Sequence, residues 1–248
     1  MTVDFYLEQY DPILKQVLKW RALPLPLLKE LSDYQGLDSS FRKVIQKLEK
    51  VALLKSRPFK GKSKLVYLGP ELIKSSPGRV IPLYDESLIH EAVVTMVSNR
   101  FLQWGVFKEV ILAHEVITSS FGFGIRRLPD AILEGKIGND SFKLALEIEL
   151  TQKAKTRIKN KIEDYLSNKV FDYIFYIFND EAVYSSYKKT IVDIIKSRDS
   201  KWKQEAEIRF ILGFKKDILH TGINLHDLEV FYKGHHTSVE NVFNGQDE

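Results

Sequence analysis

Apolar residues follow two periods along this chain, and the switch between them locates most of its elements. In Phe142–Lys153, read as FKLALEIELTQK, Leu144, Leu146, Ile148 and Leu150 alternate with Lys143, Ala145, Glu147 and Glu149. A period of two puts the leucines and isoleucine on one face of a strand and both glutamates on the other. Upstream lies a second apolar run, Ile125–Leu133, carrying Pro129-Asp130, and the EGKIGNDS between the two is turn chemistry. The two runs are expected to pair as a hairpin. Asp130 would then sit opposite Glu147 and Glu149, with Lys153 entering from the first turn of a helix over Gln152–Asn168.

Helical spacing dominates the first eighty or so residues. Ile13, Leu14, Val17, Leu18 and Trp20 form a stripe over Glu8–Ala22, Pro24 and Pro26 reset the chain, and Leu27–Tyr34 follows. Asp38-Ser39-Ser40 offers an N-cap for Phe41–Lys50, whose apolar side is Phe41, Val44, Ile45 and Leu48. A basic hairpin over Leu53–Leu68 comes next, turning through Pro58–Ser63. The order suits a winged helix-turn-helix, with Ser40, Arg42, Lys43 and Lys47 toward a DNA major groove and Lys60, Lys62 and Lys64 on a wing near phosphates. A winged helix used for protein contacts, or a solvated charged face, is the competing reading; the wing, basic without compensating acids, favours DNA. The KSSPGR stretch, Lys74–Arg79, is the compositional linker, so the expected domains are 1–79 and 80–248.

Beyond it, Glu86–Phe101 predicts a helix with Leu88, Val93, Met96 and Val97 inward. Lys108–Thr118 is ambiguous, its β-branched Val116 and Ile117 favouring a strand. Phe121-Gly122-Phe123-Gly124 lacks the spacing of a phosphate loop and reads as a connection. Phe171–Phe178 is apolar nearly throughout, as in a strand buried on both faces. Ser185–Ser197 predicts a helix, Glu207–Phe214 and Leu228–Tyr232 predict strands, and 244–248 a frayed end. Lys153, Arg157 and Lys161 fall at i, i+4 and i+8, one helical face that could follow a phosphate backbone or simply be solvated.

Composition narrows the chemistry. The chain of 248 residues has no cysteine, which excludes disulfides, zinc ribbons and thiol catalysis. With 37 Lys and Arg against 33 Asp and Glu the net charge is only +4, so nucleic-acid binding has to come from local basic patches. No signal peptide or membrane span is visible, and a cytoplasmic location is expected. Asp130, Glu147 and Glu149 supply hard oxygen ligands of the kind Mg²⁺ or Mn²⁺ takes, and a nearby lysine can stabilise charge developing on phosphorus. The competing reading of the glutamates is the polar face of a half-buried strand.

Pro129-Asp130, Glu147-x-Glu149 and Lys153 together resemble the PD-(D/E)xK phosphodiesterase superfamily, with Glu149 where that pattern has its lysine and the lysine displaced toward the helix. LIHEAVVTMV, RRLPDAIL and LEIELTQKAKTRIKNKIEDY are similar to the MobC/TraX-type plasmid mobilisation relaxases, the replication-relaxation family, over about Tyr84–Lys196. That resemblance implies an α+β protein: an N-terminal winged helix-turn-helix domain followed by an α/β restriction-endonuclease-like domain. It further implies metal-dependent nicking of one strand at a plasmid origin of transfer, with Asp130, Glu147 and Glu149 as Mg²⁺ or Mn²⁺ ligands and Lys153 beside the phosphate. The implied partners are origin DNA, an accessory mobilisation protein and a coupling protein. Glu91, on the first helix of the second domain, matches the additional metal-site glutamate of that superfamily, although a surface charge explains it as well; His90 is more simply structural.

Six histidines, His90, His114, His220, His226, His235 and His236, include no His-x-His pair of the kind that holds metal beside a tyrosine nucleophile. Packing accounts for Tyr165, Tyr173 and Tyr176. Water is therefore the expected nucleophile, with a covalent tyrosine route as competitor. A non-catalytic DNA-binding regulator and a double-strand endonuclease are the alternative classes.

Overall fold

Prolines and turn residues set the first elements closely. The computed structural model describes residues 3–59, 61, 63–76, 80–118, 127–197, 200–216, 218 and 224–244. The chain is mixed α+β and divides into two compact units, the division falling between Met96 and Val97. The expected boundary at Arg79 lies outside the described residues, as do Lys60, Lys62, the FGFG stretch, Ile125, His220 and all but the first residue of the expected frayed end.

In the first unit the stripe predicted over Glu8–Ala22 is split: α1 (Val3–Gln9), α2 (Asp11–Trp20) and a short strand β1 (Ala22–Pro24). Pro12 starts α2, and Arg21 ends it at φ 64°, which turns the chain into β1. α3 (Leu25–Leu31) and α4 (Asp38–Lys50) follow. Asp38-Ser39-Ser40 does not cap α4 from outside; it forms the first turn, where Asp38 receives a 2.6 Å bond from Lys29 Nζ. β2 (Leu54–Pro58) and β3 (Lys64–Leu68) make the expected antiparallel hairpin, and β1 adds to it in the order β1-β3-β2. α5 (Pro70–Ser75) occupies part of the expected linker. Val17, Leu28, Ile45, Leu48 and Leu65 are buried, so the helices and the three-stranded sheet share one core.

α6 (Asp85–Gln103) carries the chain past the division into β4 (Phe107–Leu112) and α7 (Ala113–Thr118). The strand expected through Thr118 stops at Leu112, because Glu115 accepts a 2.7 Å bond from the Leu112 N–H and starts a helical turn. β5 (Ala131–Ile137) lies later than the predicted Ile125–Leu133. Pro129 has no N–H for a ladder, and much of the predicted turn is strand, leaving the reversal to Gly138 at φ 59° and Asn139. β6 (Asp140–Glu149), α8 (Lys155–Ser167), β7 (Tyr173–Phe178), α9 (Glu181–Lys196), α10 (Ser200–Glu207), β8 (Phe210–Phe214), β9 (Glu229–Tyr232), β10 (His235–Ser238) and α11 (Val239–Asn244) complete the second unit. α10, β10 and α11 had no counterpart in the sequence reading.

These strands form one sheet, β10-β9-β8-β7-β6-β5-β4, antiparallel at both ends and parallel across β6, β7 and β8. The parallel centre has consequences for the glutamates. α8 and α9 are crossovers joining parallel strands, so they cover the face of β6 that carries Ala145, Glu147 and Glu149. Leu144, Leu146 and Ile148 are buried on the opposite face. That face packs on aromatic rings: Phe101, Phe107, Phe142 and Phe243, with Phe142 stacked on Phe243 at 5.6 Å. Gly135 lies under the Phe142 ring; a Cβ there would come within 2.3 Å of it, so any larger residue would force the ring to shift.

Candidate functional site

The expected acidic edge is instead a buried acidic chamber. Glu147 is 1% exposed and Glu149 7%, both beneath α8 and α9. A half-buried strand with its polar face in water, the simpler expectation, does not describe β6: strands flank it on both sides and helices cover the glutamate face. An unpaired carboxylate in such a place would carry a cost of several kcal/mol, so the partners of Glu147 matter.

They come from one face of α8. Lys161 Nζ donates to Glu147 Oε2 at 2.5 Å, and the Tyr165 hydroxyl donates to Glu147 Oε1. Lys161 and Tyr165 are four residues apart, hence stacked on one side of the helix. Ile158 and Ile162, one turn away on neighbouring positions, bury that side against the sheet. Asp130 sits immediately before β5 and accepts a 2.8 Å bond from the Ile148 N–H, the residue between the two glutamates. The Asp130 N–H in turn donates to Leu146 O at 3.0 Å. The main chain of β6 therefore holds Asp130 on both sides.

Burial raises the Glu147 carboxyl from its ordinary 4.5 to about 7; Lys161 pulls the other way and Asp130 adds to the rise. Burial likewise raises Glu149, against Lys161 and a hydrogen bond from Tyr187. For Lys161, burial favours the neutral amine, yet the charges of Glu147 and Asp130 outweigh it and hold the ammonium above its usual range. Tyr165, Tyr176 and Tyr187 are all raised, first by burial and then by the nearby carboxylates. The Tyr176 hydroxyl is buried and has no hydrogen-bond partner among the described residues.

Several expected roles change. Lys153 precedes α8, since the helix begins at Lys155, and its Nζ bonds Thr151 Oγ1 at 3.0 Å on the surface. Lys161 does not share a phosphate-following face with Lys153; it turns inward to Glu147. Arg157 is exposed, its carbonyl receiving a bond from Arg127 at 3.4 Å. Glu91 belongs to the first unit, where Arg21 Nη1 pairs with it at 3.3 Å. Tyr165 and Tyr176, assigned to packing alone, face the carboxylates; the i, i+4 spacing of Lys161 and Tyr165 was the available signal.

Among the expected DNA-binding residues, Arg42, Lys43 and Lys47 are exposed on α4. Ser40 is turned to its own backbone, donating to Leu37 O at 2.7 Å. Lys64 on the hairpin faces Glu49 of α4 at 3.7 Å, so the helix supplies the wing with a compensating acid.

By type, Asp130, Glu147 and Glu149 fit a hard divalent cation, which takes oxygen ligands. Among the described residues, no three His, Asp or Glu side chains are gathered as a metal-holding group; the two oxygens of Glu147 are engaged by Lys161 and Tyr165. Comparison with protein-family models, curated proteins and solved structures finds no match to this chain. No helix among the described residues is long and apolar enough to cross a membrane.

Proposed function

We propose that the chain is a metal-dependent DNA-nicking protein, with a winged helix-turn-helix in the first unit that engages DNA and a PD-(D/E)xK-type nuclease in the second. The observation that carries this reading is the junction of Asp130 with β6: its carboxylate is fixed by the amide between Glu147 and Glu149, and Lys161 is bonded to Glu147. The element order supports it. α6, β4, α7, β5, β6, α8, β7 is, apart from the short α7, the helix, three strands, helix, strand series that the superfamily resemblance implies, and α2, β1, α3, α4, β2, β3 suits a winged helix. The plasmid-mobilisation setting, with origin DNA, an accessory protein and a coupling protein, rests on the resemblance alone.

In this reading Asp130, Glu147 and Glu149 would hold Mg²⁺ or Mn²⁺, which when bound supplies charge neutralisation and a water of lowered pKa. The chain's own residues prepare the site. The Ile148 amide orients Asp130, Tyr165 fixes the Glu147 rotamer, and Lys161 takes the part first given to Lys153, a buried cation beside the phosphate. Water as nucleophile leaves a nick with free ends; detergent gels of end-labelled DNA check this, and label travelling with protein speaks for a tyrosine adduct instead.

A second reading, a non-catalytic DNA-binding protein on a nuclease-like fold, is favoured by one observation: both Glu147 oxygens are already taken by side chains. Supercoiled origin plasmid with Mg²⁺ or Mn²⁺ separates the readings. Open circles support the nickase, linear product a double-strand endonuclease, and unchanged plasmid the binding protein.

A further inference from the structure

α8 follows β6 and α9 follows β7, so both helices begin at the end of the sheet that carries Glu149. Between them runs a cleft of about 500 Å³. Its basic and hydroxyl lining is Lys155, Thr156 and Lys159 from the first turns of α8 and Ser186, Lys189 and Thr190 from the middle of α9. One turn further along each helix the lining becomes acidic, with Glu163 after Lys159 and Asp193 after Lys189. The cleft is thus cationic along the stretch that includes the start of α8 and acidic one turn beyond it.

We propose that this cleft binds the phosphodiester backbone of the DNA strand next to the chamber; the assignment of the ligand as DNA rests on the nuclease reading above. Three features carry it. Lys155, Lys159 and Lys189 make no ion pair with any described residue, whereas Lys15, Lys169 and Lys203 each face a carboxylate. The hydroxyls of Thr156 and Ser186 add neutral donors beside the ammonium groups, a mixture that suits phosphate oxygens, while that of Thr190 donates to Ser186 O at 2.8 Å. No aromatic ring lines the cleft, which leaves nothing for bases to stack on, so the contact is to backbone and independent of sequence. The cleft also replaces the path first expected along Lys153, Arg157 and Lys161, from which the structure withdraws Lys161.

The test measures binding of the full chain to a random-sequence duplex and, in a separate arm, to a single-stranded oligonucleotide, without divalent metal and across a salt series. Each phosphate contact contributes roughly 0.9 to the slope of log affinity against log salt on duplex and about 0.7 on single strands. The triple variant Lys155→Gln, Lys159→Gln, Lys189→Gln is expected to lower the slope by about 2 to 3 on the form that the cleft holds. The triple Lys→Arg variant is expected to keep it. A charge-matched control, Lys15→Gln, Lys169→Gln, Lys203→Gln, is expected to leave the slope as in the wild type. An unchanged slope in the cleft variant, or an equal fall in the control, overturns the proposal. A lowered slope in a protein that nicks nothing upholds the cleft and removes the nuclease reading, so the two fail separately.

Discussion

Lys161 on α8 holds Glu147 on β6 at 2.5 Å inside the second unit, an ion pair whose carboxylate side chain is 1% exposed and whose lysine side chain is 20% exposed. Such a pair has a specific energetic signature. Its net worth is small, because desolvation offsets attraction, but removing one partner strands the other and typically costs about 3–5 kcal/mol. Lys161→Met is expected to destabilise the protein by that order, and Lys161→Met with Glu147→Gln by less than the sum of the two singles. Urea unfolding of the four proteins checks this; strict additivity contradicts a direct pair.

The same pair predicts a pH dependence. Glu147 titrates near 7 in the folded protein, against 4.5 ordinarily. Between those values the folded state binds more protons than the unfolded state, so stability from this group falls as pH rises from about 4.5 to about 7 and levels off above. Urea midpoints across that window should drop in the wild type and drop less in Glu147→Gln. An identical profile in both would show that Glu147 does not titrate there.

Two tyrosines of the chamber differ in a way that mutation can read. Tyr165→Phe leaves Glu147 Oε1 unpaired in a buried place and is expected to cost about 1–3 kcal/mol. Tyr176→Phe removes a hydroxyl that has no partner among the described residues and is expected to be neutral or stabilising. Thermal unfolding of the two variants gives the comparison; equal losses contradict it.

Lys161 and Lys153 divide the catalytic lysine question. Lys161 touches Glu147, while Lys153 bonds Thr151 at the surface. Lys161→Arg keeps the charge and helps preserve the fold, yet cannot place one compact ammonium in the chamber. It is expected to lower nicking by about a hundredfold or more, the scale of losing one transition-state donor. Lys153→Met is expected to change it less than tenfold. The reverse order in a supercoiled-plasmid assay returns the role to Lys153.

What the sequence revealed follows from the range of the interactions. Apolar alternation found β6 and the apolar run found β7, because those patterns are local. The hairpin of β2 and β3 was legible for the same reason. Two breaks were misjudged: Pro129 delays β5, and Arg21 at φ 64° ends the first helical stripe ahead of β1. The placement of Asp130 against β6 was legible because a hairpin brings it there. The burial of the glutamates was not, since it depends on β7 pairing parallel to β6 and on α8 and α9 covering that face, contacts that alternation within one strand does not encode. Lys161 and Tyr165 follow from the same packing. α10, β10 and α11 are short segments whose few apolar residues carry no clear period.

In the proposed reading, the carboxylates around Asp130 and Glu147 cut DNA. Supercoiled plasmid bearing the cognate origin, incubated with Mg²⁺ or Mn²⁺ and either wild type, Asp130→Asn or Glu147→Gln, measures it most directly. Wild type is predicted to produce open circles that chelator prevents, and both variants, verified as folded by circular dichroism, to produce none. Open circles at the wild-type rate from both variants, or none from the wild type with either metal, would contradict the claim.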